Sequence, residues 1–504
     1  MTRLPIVTLA LCFVLTLVSS ASAADPTLSE LLEKAIYTEQ TVGDLDAAVN
    51  LYEQIAAKHE LNAETAARAQ LHLGMARLKR GDRAKATEAF RILVDRYPSR
   101  DKIVKYAENQ IPPDLDEALH QIRNNYVDVL DDEDELMAAA IRGVLGELDE
   151  YSGLLSAEAM DEFKVTLSGR LVGIGVAIAL QEGRLVVTTP IVGSPAFEAG
   201  LLAGDTIATI DNTSVASIPE DERLKEAVRR LRGKADTAVT VGIISPNSEK
   251  ARDIRIVRRP LKLDTIVGND REDSGTWRYE LSKEPKIDYL AILSFGREAA
   301  RDLRTVVAHL EEQGSQAIVI DLRNSPGGLM KSAIDCADLF LNEGVIVEVR
   351  GRNQNETHRA KPTQFLAGVP IAILTNSATA SAAEIFAGAL RDHHRAVIVG
   401  ERTHGKGSVQ SLITLKSGNA IKLTTARFYL PNGRNIQKPS NATEEDVWGI
   451  SPSEGFGVEL SEEERRAYGP LRAAQASVEV EAVPEFSDRV LEKAMEYLTQ
   501  QTKE

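Results

Sequence analysis

The sequence predicts a multidomain α+β protein: a helical amino-terminal region, a module of short strands and turns, and an alternating α/β domain. Three observations carry that expectation. Residues 28–107 keep a helical apolar period with almost no Gly or Pro; residues 166–260 switch to short β-patterned runs broken by glycine; and from residue 289 strand and helix patterns alternate. The length of 504 residues suits about three domains.

Residues 1–24 form a leader rather than part of a core. Arg3 precedes an apolar run at 6–18, and Ala21-Ser22-Ala23 follows as an A-x-A cleavage site, the pattern of a secretory signal peptide. A bilayer span needs about 20 apolar residues, so this run is too short for an anchor. Leu11 before Cys12 is too bulky for a lipoprotein-type cleavage site. Cleavage leaves Cys336 as the only cysteine, so an exported chain has no internal disulfide and relies on its cores. The formal net charge of −16 becomes one unit more negative without Arg3. Such a surface repels nucleic acid and anionic membrane, and the expectation is a periplasmic or secreted protein with no stable membrane span after cleavage.

In the helical region, 25–110, Leu73-Gly74, Gly81, Ala86, Phe90 and Pro98 have the spacing of a tetratricopeptide repeat, whose small residues let antiparallel helices pack closely. Gly43, Ala48 and Tyr52 echo it 38 residues earlier, near the family period of about 34. The alternative is an ordinary helical hairpin. The functional expectation is a platform for a protein partner or for self-association. Ile111-Pro112-Pro113 marks a boundary, and residues 111–165 read as a further helical part with Leu119, Ile122 and Tyr126 on one face. The acidic run at 131–135 is expected to be a solvated helix start.

Residues 166–258 contain Gly173-Ile174-Gly175, an apolar strand after it, a Glu182-Gly183 turn, then Gly193-Ser194-Pro195-Ala196, Ala199-Gly200-Leu201 and Gly204-Asp205. This order resembles a PDZ domain. The resemblance implies that Gly173, Ile174 and Gly175 offer backbone N–H groups to a peptide's terminal carboxylate, with the peptide adding as a strand beside 176–180 and a helix at 221–232 lining the groove. A dinucleotide loop is disfavoured, because position 178 is Ile where a third glycine is needed and a strand follows.

Residues 259–470 read as an α/β domain in which a buried strand at 317–323 runs into Asn324-Ser325-Pro326-Gly327-Gly328. Paired glycines past a strand can aim N–H groups at an oxyanion, or can simply form a turn. Ser381 opens an amphipathic helix at 382–391, where a serine is ordinarily a cap. A short strand at 396–399 follows, then Gly405-Lys406-Gly407, which leaves one lysine between two glycines. Burial would depress its pKa and let it act as a base.

The chain is similar to the carboxy-terminal processing, or tail-specific, proteases over roughly residues 115–438. The motifs are Leu148-Asp149 with Tyr151-Ser152, the PDZ set, Asp321-Leu322-Arg323-Asn324 with Gly327-Gly328, the Ser381 segment, Gly400-Glu401 with Gly405-Lys406-Gly407, and Tyr429-Leu430-Pro431-Asn432-Gly433-Arg434. The resemblance implies a catalytic core of the ClpP/crotonase-like type and an endopeptidase that needs no metal or cofactor. It implies Ser381 as nucleophile, Lys406 as base, Gln410 orienting the lysine, Glu384 and Asp392 supporting the site, and the N–H groups of Ala382 and Gly328, with Gly327 adjacent, as oxyanion donors. Substrates would be unfolded or flexible protein C-termini bound by the PDZ domain. Ala383, His404 and Glu150 stand where the family has serine, phenylalanine and proline.

Three rivals remain to be weighed. Residues 400–406 fit G-x-x-x-x-G-K, but Gly407 replaces the Ser or Thr of a phosphate loop and a strand pattern follows. A Ser-His-Asp triad would use His404 or His393 with Asp392. An inert PDZ and helical-repeat scaffold would bind C-termini without cutting. No histidine spacing suggests zinc. Residues 471–504 are expected to be a linker, at 478–484, and a closing amphipathic helix.

Overall fold

All five residues of Ala317–Asp321 and of Ile371–Thr375 are buried, the signature of strands covered on both faces. In the computed structural model they lie at the centre of a sheet. The structure describes residues 26–503 except 129, 131, 161, 162, 164–169, 247, 249, 273, 363, 364, 444 and 476–485. The expected leader and the expected linker at 478–484 lie outside the described residues. The chain divides into two units, Met1–Leu136 and Met137–Glu504.

In the first unit, helices Leu28–Tyr37, Leu45–Ala57, Ala63–Lys79, Arg83–Arg96 and Asp101–Glu108 follow one another. Their starts are set locally: Thr27, Asp44, Asn62 and Asp82 each accept a backbone N–H of the first turn. The repeat spacing has a physical meaning here. A Cβ on Gly74 would lie 2.4 Å from the ring of Phe90, so glycine is what lets these two helices approach. Helix Leu115–Asn125 buries none of its residues, and Ile122 and Tyr126 of the expected apolar stripe are exposed.

In the second unit, strands Val176–Gln181, Arg184–Pro190, Thr206–Ile210, Ala238–Ile244 and Arg252–Val257 form one antiparallel sheet in that order, with helix Glu220–Leu231 packed beside it. Its core is made by residues such as Ile174, Leu185, Val241 and Leu231. Val176–Gln181 is the edge strand, which leaves a backbone edge next to the helix.

The described remainder has two larger sheets, beside two small two-stranded ones. In one, Lys286–Ile292, Ala317–Asp321, Ile371–Thr375 and Val397–Gly400 run parallel. Helices Ala299–Glu312, Met330–Ala337 and Ala382–Asp392 contribute Leu303, Ala333 and Phe386 to the core on one face. Val490, Ala494 and Leu498 of helix Arg489–Gln501 pack with Tyr289, Val319 and Leu374 on the other. The closing helix is thus one face of this core. The other sheet joins Gly153–Leu155, Ala420–Tyr429, Val345–Gly351 and Asn355–Arg359, with Ser408–Thr414 alongside Ala420–Tyr429. Loops 322–328, 376–381 and 401–407 all leave the carboxyl ends of the parallel strands, where α/β sheets place their ligands.

Candidate active site

Ser381 sits between strand Ile371–Thr375 and helix Ala382–Asp392 with φ 56° and ψ −117°. A non-glycine residue in that region costs on the order of 1–3 kcal/mol and persists only where surroundings enforce it. A strained strand-to-helix turn of this kind lifts a serine out of the chain, as in nucleophile elbows. Helix Ala382–Asp392 begins immediately after it and is buried from Ala382 to Leu390.

Glu384, fully buried on the first turn of that helix, organises the site. Its Oε2 accepts the N–H of Ser381 at 2.7 Å and that of Lys406 at 2.9 Å, and its Oε1 accepts the N–H of Gly405 at 2.7 Å and the hydroxyl of Thr403. One carboxylate therefore ties the serine turn to the lysine loop. Burial pushes its pKa up, and the four donors oppose that shift. Gly405 is required for the same closeness, since with φ +86° it leaves no room for a Cβ, which would lie 2.4 Å from Trp448.

The Lys406 amine lies 4.7 Å above the centroid of the Tyr151 ring. Burial lowers its pKa, the Lys422 ammonium lowers it further, and Asp149, Glu150 and Glu384 pull it back up. Among the described residues, Gln410 gives its amide to Ser408 Oγ at 2.9 Å and Thr424 Oγ1 at 3.3 Å. The expectation that it orients Lys406 gains no direct contact.

The glycine pair lies against the serine turn. A Cβ on Gly327 would lie 2.7 Å from Ala382 N and 3.0 Å from Ser381 Cβ. Phe295 donates to the Gly327 carbonyl and accepts from Leu329 N, both at 2.8 Å. This parallel bridge uses the flanking groups, so the N–H of Gly328 points away from Phe295. Gly327 thus lies against the Ser381–Ala382 junction, with Gly328 next to it in the chain.

Asp392 is not brought to this site. It ends the helix that Ser381 begins, about 16 Å away at 1.5 Å per residue. Its carboxylate accepts from Arg391 and from Asn432 N, which pins the 430–434 turn. His393 bonds the Val345 carbonyl at that same distant end. His404 is exposed, and its backbone N–H reaches Thr379 O. The residues of a Ser-His-Asp triad therefore do not converge. Residues 400–407 lead into strand Ser408–Thr414 and not a helix, which removes the phosphate-loop geometry. Among the described residues, no group of three or more His, Cys, Asp or Glu side chains is arranged to hold a metal ion.

Two features escaped sequence reasoning. Tyr151 stands out only as part of a motif, with nothing to link it to a lysine 255 positions later. Beside the site, Asp321 and Arg323 form a buried pair joined by Asp488, while the hydroxyls of Tyr289 and Tyr468 both donate to Asp321 Oδ2 at 2.9 Å. No local spacing signals a network with members 165 residues apart.

In the module of short strands, Gly173 ends strand Arg170–Gly173, Ile174 is buried and Gly175 has φ +81°. The carbonyls of Ile174 and Gly175 are held inward by Ala196 N at 2.8 Å and by Ile191 N at 2.9 Å and Ser194 Oγ at 2.8 Å. The loop is thus a rigid turn at the head of edge strand Val176–Gln181.

Comparison with known proteins places these elements in a class. Residues 286–452 match the model of peptidase family S41, residues 186–244 that of a PDZ domain and residues 68–99 that of a tetratricopeptide repeat. A carboxy-terminal-processing protease of Bartonella bacilliformis is 35% identical over 71% of this chain and 80% of its own length. The chain belongs to peptidase family S41, the carboxy-terminal processing proteases, and is a serine-type peptidase carrying a PDZ domain. A carboxyl-terminal-processing protease of Synechocystis sp. is 34% identical over 59% of this chain and 68% of its own length. CtpB of Bacillus subtilis is 29% identical over 71% and 69%. No helix of the described residues is long and apolar enough to cross a membrane.

Proposed function

We propose that this chain is an exported endopeptidase that cuts proteins near their C-termini with a Ser381–Lys406 dyad. The observation that carries the proposal is the buried Glu384 carboxylate, which accepts N–H groups from both Ser381 and Lys406 and so couples a strained serine to a lysine whose amine burial inclines toward the neutral form. In the reaction, neutral Lys406 takes the hydroxyl proton as Ser381 Oγ attacks the scissile carbonyl carbon. The N–H groups of Gly328 and Ala382 receive the oxyanion, a donor of this kind contributing about 3 kcal/mol. Protonated Lys406 then gives its proton to the leaving amine. Water, deprotonated by the same amine, hydrolyses the acyl-enzyme.

The substrate is a flexible protein C-terminus, added as a strand to the Val176–Gln181 edge with its carboxylate at Gly173, Ile174 and Gly175. Export by the leader at 1–24 to a periplasmic or secreted location fits the A-x-A pattern and the acidic surface. The helical repeat unit is assigned to a protein partner or to self-association.

The test is cleavage of an unfolded protein with an apolar C-terminus by wild type, Ser381→Ala, Lys406→Ala and His404→Ala. The dyad requires activity in wild type and His404→Ala only. Activity in Lys406→Ala with loss in His404→Ala would instead establish a histidine base, and an inactive wild type would favour the scaffold. A further expected outcome concerns the oxyanion loop. In Gly328→Ala the new methyl meets Phe295 O at 2.5 Å and shifts the loop, so kcat should fall by about 10²-fold or more while C-terminal peptide binding, followed by fluorescence anisotropy, stays within about twofold.

A further inference from the structure

The motif Asp149-Glu150-Tyr151-Ser152 has no part in the dyad mechanism above, yet it is built against Lys406. Asp149 Oδ1 accepts the N–H groups of Tyr151 at 2.8 Å and Ser152 at 2.7 Å, and Oδ2 accepts the Ser152 hydroxyl at 3.0 Å. The Ser152 Oγ in turn accepts Thr424 N at 3.1 Å, and Gly153–Leu155 then pairs antiparallel with Ala420, Ile421 and Lys422. A short turn is thus fastened at both ends, and the ring it carries is the aromatic face 4.7 Å from the Lys406 amine. Glu384 holds the backbone of Lys406, while Gln410 spends its amide on Ser408 and Thr424. The end of the lysine side chain lies over the Tyr151 ring.

We propose that Tyr151 is a positioning residue, its ring face seating the Lys406 amine and stabilising the ammonium form that arises each time the lysine takes the serine proton. This rests on the dyad reading above. A cation is attracted to the negative face of an aromatic ring, most strongly where water is excluded. The seat serves both halves of the cycle, since it fixes where the amine waits and favours the charged state it passes through. The charged and titratable groups around Lys406 are Lys422 on the neighbouring strand, Asp149 and Glu150 on the Tyr151 turn, and Glu384 on the serine helix. Burial, together with a hydrogen bond to Glu150, pushes the Tyr151 hydroxyl up to about 12, so the ring stays neutral at working pH.

The experiment measures kcat and the pH dependence of kcat/KM on the unfolded substrate for wild type, Tyr151→Phe, Tyr151→Leu and a chain with pentafluorophenylalanine at 151. Tyr151→Phe keeps the ring face and should stay within about threefold of wild type in kcat. Tyr151→Leu should lose at least about tenfold in kcat through displacement of the amine. The rate rises with pH as Lys406 loses its proton, and removing the ring removes a stabiliser of the ammonium, so the ascending limb should also move to lower pH. Pentafluorophenylalanine has nearly the same shape with the opposite charge on its face, so it should fold even if Tyr151→Leu does not, and should show the same acid shift. Wild-type kcat and pH profile with pentafluorophenylalanine at 151 would overturn the proposal, as would a Tyr151→Phe chain as impaired as Tyr151→Leu. Lys406→Ala in parallel separates the two ideas: if it cuts normally the dyad fails, and if it is dead while the ring variants behave as wild type only the seat fails.

Discussion

Ser381→Ala should reduce turnover of an unfolded protein substrate by on the order of 10⁴-fold or more, and Lys406→Ala should match it. Nucleophile and base act as one unit, so the double variant Ser381→Ala/Lys406→Ala should be about as slow as either single one, and the two losses should not add. Neither change disturbs what holds the turn together. Glu384 contacts the backbone N–H groups of Ser381 and Lys406, which alanine retains. Peptide binding should survive in both variants, because the Gly173 loop draws its geometry from residues 191–196. Kinetics with and without binding measurements on the same preparations check this.

The largest stability effect should come from Asp321→Ala. Arg323 is almost wholly buried and donates to both oxygens of Asp321 as well as to Asp488, and two tyrosine hydroxyls finish on the same carboxylate. Removing it leaves the buried guanidinium with Asp488 alone and two tyrosine hydroxyls without their acceptor, a loss of about 3–5 kcal/mol, or roughly 5–10 °C in Tm for a unit of this size. Asp488→Ala should cost less, since Arg323 keeps its principal partner. Burial alone would raise the Asp321 pKa, but the charge and hydrogen bonds of Arg323 outweigh it and hold the carboxyl below its usual range. A depressed carboxylate contributes stability that is present above its unfolded pKa, about 4, and is lost as pH falls through the folded value. Thermal unfolding of the full chain should therefore show the gap between wild type and Asp321→Ala narrowing below about pH 4.

Much of this architecture is legible in the chain because its signals are local. The buried run at 317–321, the glycine-bracketed module and the Gly74–Phe90 spacing each follow from periodicity or from the space a residue leaves. The segments of the site were legible too. What was not legible is which side chains meet. Asp392 lies in the right sequence neighbourhood, but a straight helix carries it away from Ser381. Gln410 lies four residues beyond Lys406, but as part of strand Ser408–Thr414 it answers to Thr424 across the ladder. Tyr151 reaches Lys406 only because two strands far apart in sequence pair. The closing helix became part of the core through tertiary packing that an amphipathic pattern alone does not specify.

The claim that Lys406 activates Ser381 is tested most directly by covalent labelling with a fluorophosphonate, whose fluoride an activated serine Oγ displaces to leave a phosphonyl ester. The modified peptide should contain Ser381, the labelling rate should rise with pH as Lys406 deprotonates, and the rate should be retained in His404→Ala and lost in Lys406→Ala. Labelling of Ser381 at the wild-type rate and with an unchanged pH profile in Lys406→Ala would contradict it.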